Sequence, residues 1–238
     1  MTELNSAPIQ PDSKHMEALA EFAAGAGHEI NNPLATILGR VQQLMVGETD
    51  PQKRAALQSI SSQALRIRDM ITDVMLFARP PAGNLCTIEP QSLISEVLEK
   101  IQSTADLKQV QLQSECGHGP DMLADPDQFQ TVISELVRNA LAVSPNGSVI
   151  HVNSVYLPRE KQWQIQIIDH GPGLSDEEAT HMFTPFYSGR QAGRGHGFGL
   201  CKCWTILQQH QGQITISTKS GQTTAETRWP LDPNRVSM

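Results

Sequence analysis

The sequence predicts a multidomain chain, α followed by α+β: an antiparallel helical hairpin forming a dimeric four-helix bundle, then an α/β sandwich. Three observations carry this expectation. Two long heptad-like stripes open the chain, a double proline interrupts it at residues 80–81, and clustered strands with interspersed helices follow.

From Met16 to Met45, apolar residues fall at Leu19, Phe22, Ala26, Ile30, Ile37, Val41 and Leu44, the gaps of one helical face. GETDP (47–51) supplies a glycine stop, Asp50 as N-cap and Pro51 at the first helical position. The next helix carries Leu57, Ile60, Ala64, Ile67, Ile71, Val74 and Ala78, a 3-4 heptad seam. Two antiparallel helices leave such seams uncovered, so a homodimeric four-helix bundle is the economical solution. A hairpin packed on its own C-terminal domain is the alternative.

Arg79-Pro80-Pro81-Ala82-Gly83 ends the second helix, because a residue before proline avoids helical geometry. The expected organisation is a disordered tail at 1–13, a helical hairpin at 14–79, a hinge and first strand at 80–90, and a mixed domain at 85–232. Within the last, LCTIE (85–89) reads as a strand, 91–104 as a helix, and QVQLQSE (109–115) as a half-buried strand. Phe129, Val132, Ile133, Leu136, Val137, Ala140 and Leu141 form a helical stripe. Strands near 148–156 and 162–168 flank a turn at Pro158. A helix near 199–210 and strands near 213–218 and 223–229 complete the pattern of helices on one face of a mixed sheet.

Composition narrows the function. A formal net charge of −7 speaks against a nucleic-acid partner. The four cysteines form no CxxC pair and no zinc spacing, the usage of reduced cytoplasmic thiols. No apolar run approaches the ~20 residues of a membrane span. MTELNSAPIQPDSK lacks the regions of a signal peptide, so any membrane or extracellular sensing is expected elsewhere.

GAGHEINNPL (25–34) sets two glycines and a proline inside a helical pattern, each costly there, about 1 kcal/mol per glycine and about 3 for proline. At ~100° per residue, His28 falls about 180° from the apolar stripe, among small neighbours Ala24, Ala35 and Gly39. Asn32 follows one turn later on nearly the same side. Pro33 cannot donate to the Glu29 carbonyl, so a kink and a free carbonyl are expected beside the imidazole. On this reading the weak helix presents an accessible, adjustable nucleophile.

GHEINNPL (27–34) resembles the phosphoacceptor box of two-component sensor histidine kinases of the HisKA type, with His28, Glu29, Asn32 and Pro33 matching it one by one. Four later segments resemble, in order, the ATP-binding domain of that family, which has the GHKL fold. ELVRNALA (135–142) looks like the N box, where Glu135 and Asn139 are i,i+4 neighbours and an Asn carbonyl suits Mg²⁺. DHGPGL (169–174) looks like the G1 box, with Asp169 as acceptor for an adenine amino group and Gly171 and Gly173 permitting close backbone approach. MFTPFYSGR (182–190) resembles the F box, containing Phe183 and Arg190. GRGHGFGL (193–200) looks like the G2 box, whose Gly195, Gly197, Gly199 and Leu200 lead into a helix suited to phosphates.

The resemblance implies an ATP- and Mg²⁺-dependent autokinase that phosphorylates His28, assisted by Glu29, and passes the phosphoryl group to an aspartate of a response regulator. Regulator phosphatase activity involving Asn32 is also implied. Asn139 and Glu135 are the expected metal-side residues, with Arg138, Arg190 and Arg194 as cations for the triphosphate. Three positions depart from the pattern: Glu135 where asparagine is common, His170 where asparagine is frequent, and Arg190 in place of lysine. Glu-x-x-x-Asn is also the pattern of GHKL hydrolases, in which the glutamate activates water. An ATP hydrolase and a dimeric phosphatase or hub therefore stand beside the kinase reading.

Overall fold

A computed structural model describes residues 13–78, 82–184, 187, 197–219 and 221–233; side chains at 13–26, 28 and 76–78 lie outside the description. The chain divides into two compact units, one spanning Asp12–Pro81 and the other carrying Ala82 onward.

The first unit is a hairpin of α1 (Ser13–Met45) and α2 (Pro51–Ala78). Gly47 takes φ +77°, the left-handed geometry that ends α1. Asp50 Oδ1 accepts from the Gln52 amide at 2.8 Å and caps α2 at its predicted start. Leu34 and Val41 of α1 and Ala64, Ile71 and Val74 of α2 are buried between the helices. The rest of the predicted seams behave differently. Ile30, Ile37 and Leu44 are 37%, 43% and 63% exposed, and Ile60 and Ile67 are 48% and 44% exposed. The heptad thus splits into one row that closes the hairpin and a second apolar row left at its surface.

The second unit begins with β1 (Cys86–Ile88), antiparallel to β3 (Met122–Ala124) in a two-stranded sheet. A five-stranded mixed sheet has the order β2-β4-β5-β7-β6, built from β2 (Gln111–Cys116), β4 (Val149–Leu157), β5 (Gln162–Asp169), β6 (Gln213–Lys219) and β7 (Gln222–Pro230). Only the β2–β4 pair is parallel in that sheet. A parallel pair needs a crossover, and α4 (Pro126–Val143) lies within it. With α3 (Pro90–Leu107) and α6 (Gly199–Gln209), α4 packs against the sheet. Ile150, Val152, Trp163, Ile165, Ile167, Ile214 and Trp229 fill the space between, all buried. The rings of Phe129 on α4 and Trp229 on β7 meet at 5.0 Å between centroids.

Asp125 fixes the start of α4. Its Oδ1 accepts from the Gln128 amide at 2.9 Å, and Pro126 occupies the first turn. All seven residues of the predicted α4 stripe are buried. That leaves Glu135 and Asn139 half-buried on its flank and Arg138 exposed. β2 differs from its expected half-buried alternation. Only Leu112 and Cys116 are partly covered, because β2 is the edge strand. β3 and the short α5 (Asp176–His181) had no counterpart in the sequence reading.

Candidate functional site

In the hairpin, His28 lies within α1, and its side chain is outside the described residues. Glu29 and Asn32 are exposed, and Pro33 sits inside the helix. Gly27 has a different task from the one anticipated for the glycines. A Cβ there would stand 2.5 Å from Met75 Cγ and 2.9 Å from its sulfur, so Gly27 admits Met75 of α2 against the α1 backbone. Asn31 Nδ2 donates to the Met75 sulfur at 3.6 Å. The segment is therefore locked by close helix packing on one side, while Glu29 and Asn32 remain at the surface.

In the second unit, α4 is the spine of a second site. Glu135, Asn139 and Val143 follow at i, i+4 and i+8 on one flank, spanning about 12 Å at 1.5 Å per residue. At the Val143 end sits the DHGPGL turn, directly after β5. Asp169 is buried, and its Oδ1 accepts from the Gly171 amide at 2.9 Å. Burial pushes the Asp169 carboxyl above its ordinary value of 3.8, against the opposing pull of the Gly171 amide and neighbouring His170. Gly171 cannot carry a side chain without loss: a Cβ would lie 2.9 Å from both Asp169 Oδ1 and Val143 Cγ2. Gly173 has φ +82°. His170 is exposed, with Nδ1 3.4 Å from the Val149 carbonyl and its ring 6.2 Å from that of His151.

At the Glu135 end, the turn of Gly197 (φ +71°) leads into α6. A Cβ on Gly199 would stand 2.8 Å from Glu135 Oε2 and 3.6 Å from Asn139 Nδ2. The opening turn of α6 thus meets the α4 flank through a glycine. Lys202 then reaches back, its Nζ 2.8 Å from Glu135 Oε1. Leu200 is half-buried. Phe183 is buried, and its carbonyl accepts from Cys201 Sγ at 3.0 Å, which ties the predicted F segment to α6. Burial pushes the Cys201 thiol up to about 12, so it acts as a small apolar side chain. All four cysteines are free.

The structure therefore gathers Glu135, Asn139, Asp169, Gly171, Gly199 and Leu200 along α4 and its two flanking turns, with Gly173 and Gly197 in those turns. Arg190, Arg194 and Gly195 lie outside the described residues. Sequence reasoning missed Lys202. The available signal was that α6, GLCKCWTILQQ, carries a single charged residue. Among the described residues no group of three or more His, Cys, Asp or Glu side chains could hold a metal ion by itself.

A hairpin with a histidine box joined to an α/β sandwich with this cradle defines the catalytic-core class of phosphohistidine signalling proteins. Residues 18–83 match the His Kinase A (phospho-acceptor) domain, and residues 124–233 match the histidine kinase-, DNA gyrase B- and HSP90-like ATPase domain. The chain carries the two domains that form the catalytic core of two-component sensor histidine kinases.

Sporulation kinase E of Bacillus subtilis is 28% identical over 223 residues, covering 93% of this chain and 29% of that protein. Sensor histidine kinase ZraS of Escherichia coli is 26% identical over 228 residues, 93% of this chain and 48% of that protein. Adaptive-response sensory kinase SasA of a Synechococcus strain is 32% identical over 206 residues, 82% of this chain and 54% of that protein. The chain thus spans 29% to 54% of the length of these relatives.

Two solved structures share the fold. Full-length ShkA in complex with AMPPNP superposes with a TM-score of 0.72 at 20% identity, over 88% of this chain and 45% of that one. Histidine kinase ThkA in complex with response regulator protein TrrA gives 0.65 at 19% identity, over 93% and 64%.

Proposed function

We propose that the chain is an ATP-dependent protein-histidine autokinase that phosphorylates His28 and passes the phosphoryl group to an aspartate of a response regulator. One observation carries the nucleotide half of this reading. The G1 turn and the G2 turn bracket a single flank of α4, about 12 Å long, with a buried carboxylate at one end and a glycine-opened helix start at the other. Asp169 is set to accept from the adenine amino group. The amides at the start of α6 face the phosphate side.

The donor set fits Mg²⁺ carried in with the nucleotide: the Asn139 amide oxygen is a hard ligand, and water and phosphate oxygens complete such shells. Bound there, the metal supplies charge neutralisation for the triphosphate. The rest falls to the chain. A ring nitrogen of neutral His28 attacks the γ-phosphorus, an N–P bond forms, and the P–O bond to the leaving ADP breaks. Glu29 holds or takes the proton of the other ring nitrogen. The cytoplasm, where ATP is supplied and thiols stay reduced, suits this chemistry. No helix among the described residues is long and apolar enough to cross a membrane.

The exposed apolar row of the hairpin supports a homodimer. Ile30, Ile37, Leu44, Ile60 and Ile67 all lie at the surface of one chain, and a second hairpin would cover them. A fragment of residues 14–79 is expected to sediment as a dimer at micromolar concentration. A compact folded monomer would remove the bundle from the account.

Asn32 is assigned to the opposing reaction, hydrolysis of the regulator's aspartyl phosphate to free phosphate. Its exposed amide can donate to and accept from one water, which orients that water for attack on the regulator's aspartyl phosphate. Asn32→Ala is expected to keep His28 labelling within about threefold, since labelling rests on the imidazole and its acidic neighbour, while strongly slowing dephosphorylation of the regulator. Equal loss of both activities would point instead to damage of α1 near Pro33.

Incubation with γ-labelled ATP tests the reading as a whole. An acid-labile, alkali-stable protein label is expected. Free phosphate with no protein label would favour the ATP hydrolase, and acid-stable label would favour another acceptor residue.

A further inference from the structure

The ion pair between Glu135 and Lys202 stands within the site, yet nothing in the nucleotide reading uses the lysine. It joins two helices: Glu135 is on α4, and Lys202 lies in the first turn of α6. The contact is 2.8 Å, and both side chains are largely buried, at 23% and 16% exposure. The two carboxylate oxygens have separate neighbours. Oε1 is held by Lys202, while Oε2 faces the space where Gly199 lacks a Cβ. Asn139 borders that same space, its Nδ2 3.6 Å from the position of the missing Cβ.

A carboxylate in this position opposes a triphosphate. Like charges a few ångströms apart repel strongly where water is partly excluded, and a largely buried charge stripped of its partner is costly. Lys202 removes both difficulties at once. It turns Glu135 into half of a neutral pair and fixes which oxygen faces the glycine.

We propose that Lys202 is a positioning residue of the nucleotide site, which holds Glu135 by Oε1 and cancels its charge so that the phosphates can lie beside Asn139 and Gly199. The inference rests on the ATP reading above. It carries a distinctive consequence: loss of the ammonium should weaken binding of the phosphates and spare the nucleoside, and removal of the carboxylate as well should restore part of what was lost.

The test uses the full chain, with AMPPNP and Mg²⁺ titrated by calorimetry and adenosine followed by ligand-observed NMR at millimolar concentration. Lys202→Met is expected to weaken AMPPNP about tenfold or more, as for one stranded member of a buried pair, with adenosine unchanged within about twofold. The Glu135→Gln/Lys202→Met double variant should bind AMPPNP several-fold more tightly than Lys202→Met alone, the signature of a coupled pair. Lys202→Arg should bind nearly as the parent does. Unchanged AMPPNP affinity in Lys202→Met would overturn the proposal, as would parallel loss of adenosine and AMPPNP, or a double variant no better than the single one. A parent chain that binds neither ligand would instead bring down the ATP reading, and this inference with it.

Discussion

His28→Gln is expected to abolish labelling by γ-labelled ATP while leaving nucleotide affinity as it is in the parent chain. The two halves of that expectation come from different units of the molecule. His28 belongs to the hairpin of α1 and α2, whereas Asp169, Asn139 and Gly199 belong to the sandwich beyond Ala82. Glutamine has at least the helix propensity of histidine, so α1 should persist. Its amide has no nucleophilic nitrogen to replace the imidazole. Label remaining on the variant would defeat the assignment of His28, and lost affinity with lost label would show that the substitution had damaged more than the acceptor.

Asp169→Asn should have the next largest effect, with opposite signs for binding and stability. The Gly171 amide donates to Asp169 Oδ1, so an asparagine there will keep its carbonyl oxygen on that N–H and turn its NH₂ toward the ligand. A donor would then meet the adenine amino donor. Loss of a hydrogen bond to a charged acceptor is worth about 1.5–3 kcal/mol, so ATP affinity should fall about 10- to 100-fold.

The same substitution should stabilise the nucleotide-free protein. Burial raises the Asp169 carboxyl above 3.8 in the folded state. The unfolded chain therefore gives up this proton at lower pH than the folded one does. Relative to its protonated form, Asp169 contributes fully below about 3.8 and loses that contribution as pH rises through its raised folded value. An amide loses nothing over that window. The variant should melt a few degrees above the parent at pH 7, and the difference should shrink as pH falls toward 4. Thermal melts across that range check it. A variant less stable than the parent at pH 7, with the gap unchanged by acid, would contradict the account of Asp169 as a carboxylate buried for the ligand's sake.

Local chemistry made much of this legible in the sequence. The α4 stripe is a 3.6-residue pattern with a capping aspartate and a proline at its start, and each of its apolar positions is buried. The β4–β5 and β6–β7 hairpins join strands close in sequence, where alternation and turn residues suffice. The parallel β2–β4 pair lies across a crossover, and no local pattern reports that β2 ends as an exposed edge.

The missed elements failed for physical reasons. β3 has three residues, too few to show alternation. α5, DEEATH, has no apolar stripe; its signal was the capping box of Ser175 and Glu178, which the structure contains. The heptads of α1 and α2 were visible, but which apolar row closes the hairpin is decided by contacts between the two helices, which no local pattern reports. Leu34, absent from the anticipated stripe, is buried while Ile37 is not. In the proposed site, Glu135, Asn139 and Asp169 stand out in the sequence because motif spacing marks them. Lys202 does not, because its meaning comes from a contact across 67 residues between two helices.

The most direct measurement locates the phosphoryl group itself. After reaction with Mg²⁺–ATP, the protein would be digested with trypsin at neutral to alkaline pH and analysed by mass spectrometry under conditions that keep phosphoramidates intact. Cleavage after Lys14 and Arg40 releases residues 15–40, which contain two histidines, His15 and His28. The account predicts one phosphoryl group on this peptide, on His28, lost on brief acid treatment and retained in alkali. Phosphate on His15, on a hydroxyl residue, or on no residue at all while ATP is consumed would contradict it.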